Sequence, residues 1–211
     1  MFKSVSSPFD RSRKRFFQPW PGRGPVLADH EIADAVKYGQ LKVSPYDPQM
    51  IRPAALSLRL GSDAKVLGAE NTVDARDRDT YPELRAREPD ELGRLIVNPN
   101  EMLLVPTFER IVVGDKLTGI LDGISDVARL GISVVLSQQV SPGFGAPDGA
   151  VITLEIFSRL PVPVVLYPGT RICNLMLIRC GRAVRSYSAM SHNHSSDMSA
   201  MPSNWAAYHD G

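Results

Sequence analysis

No run of apolar residues in this 211-residue chain approaches the ~18 consecutive positions that a membrane-crossing helix needs. The N-terminus also lacks the apolar core of a secretory signal, so the expectation is a soluble, cytoplasmic protein without a membrane partner. Charge of one sign is missing too. Lys and Arg number 24 against 23 Asp and Glu, leaving no overall field to gather DNA or RNA, and no nucleic-acid partner is expected. Cysteine is scarce: Cys173 and Cys180 lie in an apolar stretch, which fits buried thiols in a reducing compartment better than a disulfide framework. Two cysteines seven positions apart, with no suitable His, cannot supply the ligand set of a zinc nucleobase deaminase. Neither the P-loop nor the dinucleotide glycine fingerprint occurs, so the usual strand-to-helix phosphate cradles are excluded. His192 and His194 have no third ligand at sensible spacing, which speaks against a metal site.

What is present reads as one domain, residues 27 to 187, between two tails. Residues 1 to 26 form an arm in which Lys3, Arg11, Arg13, Lys14, Arg15 and Arg23 face the single acid Asp10, with Phe9, Phe16, Phe17 and Trp20 interleaved. A packed extension is the favoured reading of this arm over a phosphate-contacting surface. Asp29 as cap, the shared face of Ile32, Ala35 and Val36, and Gly39 beyond them predict one short helix. Leu56, Leu58 and Leu60 alternate with Ser57 and Arg59 as a half-buried strand does. Residues 62 to 94, with Asp74, Arg76, Asp77, Arg78 and Asp79 in close succession, read as a solvated insertion or long loop. Short apolar runs then recur at 102–105, 132–136, 151–157, 162–167 and 172–178, with Pro-Gly turn signals at 142–143 and 168–169. Such punctuation predicts an all-β barrel or sandwich. Residues 188 to 211 have no periodicity and are expected to form a flexible tail.

The segment Gly123-Ile124-Ser125-Asp126-Val127-Ala128-Arg129-Leu130-Gly131 offers backbone N–H groups, a hydroxyl and a guanidinium able to hold phosphate oxygens. By itself it equally describes one helical turn in which Arg129 pairs with a neighbouring acid. In Val151-Ile152-Thr153-Leu154-Glu155-Ile156-Phe157 the apolar Ile152, Leu154 and Ile156 share a face, which leaves Glu155 on the other.

The 123–131 segment resembles the Gly-Arg-Ser-Ser-Leu-Ala-Arg-Leu-Gly-like motif of dCTP deaminases. Three further stretches resemble that family in order: Leu27 to Ile32 with Gly39-Gln40-Leu41, Ile51 to Ala54 through Leu58 to Gly61, and Leu166 to Cys173. The resemblance implies a dUTPase-like distorted β-barrel with a short N-terminal helix, assembled as a homotrimer with sites between subunits. It implies deamination of a cytosine deoxynucleotide, dCTP to dUTP and ammonia, by water attack at C4 without a catalytic metal. Glu155 would be the general base, since a carboxylate stripped of some hydration can take a proton from water and return it. Ser125 and Arg129 would serve the cytosine and the attacking water. The turn from Ser125 through Asp126, Val127 and Ala128 to Arg129 would hold the phosphates, with Mg²⁺ accompanying them. Ser137, Gln138, Gln139, Ser141 and Tyr187 complete the expected pyrimidine deoxynucleotide contacts. Departures from the family cluster at this site. Ile124 stands where the family has Arg, Asp126 where it has Ser, Gln139 roughly where it has another Arg, and Ser141 where it usually has a sugar-contacting Asp. They keep two alternatives open: a non-catalytic nucleotide-binding protein on the same fold, or a dUTP pyrophosphatase.

Overall fold

Helix α1 (Asp29–Lys37) starts one residue earlier than its acid suggests. Ala28 is the cap position, and its N–H donates to Glu31 Oε2 at 3.0 Å, while Asp29 sits in the first turn. An acid at either place favours the positive end of the helix. Ile32 and Ala35 are its buried face, and Gly39 follows with φ 71°, a conformation that glycine adopts without strain. The computed structural model describes residues 24–69, 71–191 and 193–205. Most of the basic arm, His192 and the last six residues lie outside the described residues.

Strands carry the rest of the chain, and every pairing between them is antiparallel. In chain order they begin with β1 (Leu41–Ser44), β2 (Ile51–Arg52), β3 (Ala55–Arg59), β4 (Ala64–Gly68), β5 (Glu83–Arg87), β6 (Leu95–Val97) and β7 (Met102–Pro106). They continue through β8 (Arg110–Val113), β9 (Leu117–Gly123), helix α2 (Ser125–Arg129), β10 (Ile132–Ser133), β11 (Gln139–Val140), β12 (Thr153–Ser158), β13 (Val164–Leu166) and β14 (Arg171–Arg179). One five-stranded sheet runs β10-β12-β7-β4-β5 and another β11-β9-β14-β3-β2, with the pairs β1-β8 and β13-β6 beside them. Leu103, Val105, Leu154 and Ile156 of the first sheet join Leu56, Leu58, Leu121, Leu175 and Leu177 of the second in one core. This is the all-β, barrel-like architecture with a short N-terminal helix that the sequence predicts.

Three local expectations are corrected. The mixed-charge region 62–94 is not a loop throughout, because β4 and β5 pair within it from Ala64↔Arg87 to Gly68↔Glu83. As a sheet edge, β5 leaves Glu83, Arg85 and Ala86 exposed, so its charges hide the strand from an apolar pattern. Ser57, expected on the solvent side of its strand, is only 2% exposed. Its hydroxyl donates to Asn174 Oδ1 at 2.8 Å and accepts from Arg52 Nε at 3.1 Å, satisfying a polar group that burial would otherwise penalise. The apolar run 132–136 is a strand only at Ile132–Ser133. Beyond it the backbone leaves the ladder, and the Leu136 N–H turns to a side chain described below.

The tail from 188 onward, expected to be flexible, contributes buried positions in its described part. Ser195 is 4% and Ala200 0% exposed. Val151 N–H donates to Asp197 O at 3.0 Å, and Lys65 Nζ to Ala200 O at 2.7 Å. Gly145 N–H donates to Ser195 Oγ at 2.9 Å, and a Cβ on Gly145 (φ 75°) would stand 1.9 Å from Ile111 O, so only glycine fits where this turn meets the tail and β8.

Candidate active site

Glu155 lies in the middle of β12, directly opposite Leu104 of β7. The alternation predicted for this strand holds: Leu154 and Ile156 are fully buried beneath it, and Glu155 is half-buried on the other face. There its Oε2 accepts the Leu136 N–H at 2.9 Å. One carboxylate oxygen is thereby held in place by the backbone, and the side chain lines a cleft of about 410 Å³. The cleft walls are largely apolar, including Met102, Leu104, Phe144 and Val151, and Ser137 opens onto the same space. A few polar groups converging in an apolar cleft is the usual form of a small-molecule site.

The Ser125 to Arg129 turn stands elsewhere. It is the single-turn helix α2, preceded by the extended Ile124 and followed by Gly131 with φ 75°. Ser125, Asp126, Ala128 and Arg129 are exposed and Val127 is half-buried. The Arg129 guanidinium sits 3.8 Å from the Asp126 carboxylate, both more than three-quarters exposed. This is the local ion pair that the sequence leaves open. Ser125 and Ala128 border a second cleft, of about 430 Å³, with Ser133, Asp122 and Arg159. The two clefts have no lining residue in common. A single chain therefore keeps Glu155 with Ser137 in one place and the Ser125 turn in another.

The remaining candidates are spread between them. Gln138 supplies its carbonyl to the Leu121 N–H at 2.8 Å, and Gln139 is exposed on β11 opposite Ile120. Ser141 O caps the turn at Phe144 N, 3.1 Å away. Tyr187 stacks on Phe144 with ring centroids 6.1 Å apart, and its hydroxyl accepts the His194 N–H at 3.2 Å. Sequence reasoning missed Arg159, whose place just past the strand bearing Glu155 was the available signal. It also missed His194 and Asp197 as cleft residues, since nothing in a Ser- and Met-rich tail marks the point where it folds back. Close to α2, burial pushes the Cys173 thiol pKa well up, and the Glu109 and Asp122 carboxylates add to the shift. Among the described residues no three His, Cys, Asp or Glu side chains gather as a metal site.

Comparison with known proteins gives the family. The family model described as dCTP deaminase-like matches residues 26–180. The chain belongs to the dCTP deaminase-like family. Among curated relatives, the dUMP-forming dCTP deaminase of Methanobrevibacter smithii is 34% identical over 156 residues, covering 72% of this chain and 78% of the relative. That of Persephonella marina is 32% identical over 155 residues, covering 73% and 83%. The solved 2'-deoxycytidine 5'-triphosphate deaminase of Agrobacterium tumefaciens superposes with a TM-score of 0.55 at 22% identity, covering 78% of this chain. The match takes in 49% of that solved chain, so this family member spans about half its length. No helix among the described residues is long and apolar enough to cross a membrane.

Proposed function

We propose that this family member deaminates dCTP, replacing the C4 amino group of cytosine by oxygen from water. The observation that carries the proposal is Glu155: a carboxylate in the middle of β12, one oxygen anchored by Leu136 N–H, facing an apolar-walled cleft of base-accommodating size. In this role Glu155 takes a proton from water as the oxygen bonds to C4, then passes it to N3 of the ring. Ser137 and the Gln138 backbone would border the base. Ser125 and Arg129 would approach from the α2 turn of a neighbouring subunit in a homotrimer, which explains why one chain keeps them in a separate cleft. The guanidinium fork of Arg129 offers charge stabilisation and a fixed pair of donors. Triphosphate would arrive with Mg²⁺, which offsets the repulsion from the exposed Asp126 carboxylate beside the turn.

The relatives' names carry a second consequence for the product. Those enzymes are dUMP-forming, which corresponds to loss of pyrophosphate as well as ammonia. Ser141, standing where the family usually has Asp, bears on that hydrolytic step and not on C4. The non-catalytic reading draws on a different observation: Asp126 engages the guanidinium that phosphate would otherwise take.

The decisive experiment is chromatography of dCTP, dCMP, CTP and dUTP after incubation with pure protein and Mg²⁺. Conversion of dCTP to a uracil nucleotide with stoichiometric ammonia is the expected result. dUTP as product means deamination alone, and dUMP means that phosphate cleavage accompanies it. Tight dCTP binding with no product overturns the proposal in favour of the non-catalytic reading.

A further inference from the structure

The cleft that holds Glu155 is closed on one side by the C-terminal segment, and that segment brings an ionisable pair with it. His194 and Asp197 both line the cleft. His194 Nδ1 lies 2.7 Å from Asp197 Oδ2, with side chains 39% and 14% exposed. The pair is fixed from the backbone outward. Asp197 O accepts from Val151 N, the residue two before the start of β12, and His194 N–H donates to the Tyr187 hydroxyl. Between them, the buried Ser195 hydroxyl accepts the Gly145 N–H at 2.9 Å. A carboxylate hydrogen-bonded at Nδ1 orients the imidazole and leaves Nε2 as the ring nitrogen open to a ligand. Among the described residues no hydrogen bond occupies Nε2.

We propose that His194, oriented by Asp197, is a second proton carrier of the Glu155 cleft; this rests on the deamination reading. Water addition at C4 leaves a tetrahedral carbon bearing OH and NH₂, with the ring N3 protonated through Glu155. The C4–N bond breaks only if the amino group gains a proton and the hydroxyl loses one. The His194 imidazolium gives its Nε2 proton to the amino group, ammonia departs with the bonding pair, and Nε2 recovers the hydroxyl proton as C4=O forms. The sum is one water consumed and one ammonia released, with the enzyme unchanged. Glu155 thus serves the addition and His194 the elimination, a division of labour open to two ionisable groups in one cleft. Asp197 is a positioning residue. The titratable groups around the imidazole are Asp197, Glu155 and Tyr81 in the cleft wall, and Tyr187 behind it.

The test compares kcat and KM for dCTP as a function of pH in wild type, H194Q and D197N. Expected for H194Q is a fall in kcat of about 10²-fold with KM little changed, and loss of one limb of the wild-type pH profile. D197N lowers kcat with KM little changed, because the imidazole loses the carboxylate that orients it. Wild-type-like kcat and an unchanged profile in folded H194Q overturn the role of His194 while leaving deamination standing. Absence of any cytosine conversion by wild type overturns deamination and this role together. If H194Q does not fold, the imidazole ¹H–¹⁵N signals of wild type with added dCTP decide: a perturbed His194 resonance supports the proposal, and an unperturbed one overturns it.

Discussion

Replacing Glu155 by Gln separates chemistry from structure at the centre of the site. Gln has the same shape, and its amide oxygen can still accept the Leu136 N–H that now reaches Oε2 at 2.9 Å. What changes in the fold is one charge-assisted hydrogen bond becoming a neutral one, a difference of about 1 kcal/mol. For a domain of this size that lowers Tm by roughly 2–4 °C. The leucine and isoleucine on either side point the opposite way into the core and do not move. What changes in the chemistry is the removal of the only carboxylate on the exposed face of β12, and loss of a general base costs about 10²–10⁴ in rate. That is roughly 3–5 kcal/mol of barrier, several times the stability effect, so the two cannot be confused. The assay is product formation from dCTP by chromatography, alongside thermal melting and equilibrium binding of dCTP. Expected are near-wild-type binding, a small Tm shift and turnover down by at least about 100-fold. Turnover within a few-fold of wild type in a folded E155Q protein refutes the assignment of Glu155 as base.

Three further outcomes are expected. Glu31 has its carboxyl held below the usual carboxylate range, first by the Ala28 N–H and then by Arg179, against an opposing effect of burial. A lowered folded pKa stabilises the fold fully above the ordinary carboxylate pKa and is lost as pH falls through the lowered value. E31Q should therefore lower the urea midpoint at pH 7, with the gap to wild type closing below about pH 4. Equal midpoints at pH 7 would sink the argument. G145A should destabilise by more than about 1 kcal/mol, because its Cβ meets Ile111 O at 1.9 Å in a backbone of φ 75°; an unchanged denaturation midpoint contradicts this. A thiol reagent applied to native protein should modify the half-buried Cys180 and spare Cys173, whose thiol is buried and whose pKa is raised. Peptide mapping of the modified protein reads the outcome.

The fold was legible where residue type and backbone period agree. Leu154, Glu155 and Ile156 alternate in sequence and in space, so the outward place of Glu155 could be read before any coordinate, while its expected role as base came from the family resemblance. The helix was legible from Ile32, Ala35 and Gly39, although its cap was misplaced by one residue because Glu31, not Asp29, reaches back to the first N–H of the helix. Strand β9 was missed for a physical reason. Gly119 packs against Leu175 and Val140 so closely that its Cβ would fall 2.6 Å from a Leu175 methyl, and a glycine in that place dilutes the apolar signal of Leu117 and Leu121. Strand β5 was missed because an edge strand needs little apolar surface.

The site was legible only in halves, and the reason is topological. Glu155 and the Ser125 turn are 30 positions apart at most, yet β10 and the irregular stretch after it carry the chain between two different clefts. Pattern reading ranks residues one by one and cannot say which of them face the same space. The same limit explains His194 and Asp197: they reach the cleft through tertiary contacts such as Val151 N–H to Asp197 O and Gly145 N–H to Ser195 Oγ, which return a featureless tail to the strand carrying Glu155. The exposed Asp126–Arg129 pair follows from composition, but its consequence does not. An ion pair so open to water is worth at most about 1 kcal/mol, whereas a phosphate offers Arg129 a bidentate partner of higher charge. Asp126 therefore makes this turn weakly self-occupied without closing it to phosphate, so the departure of this turn from the family motif is compatible with a working nucleotide site.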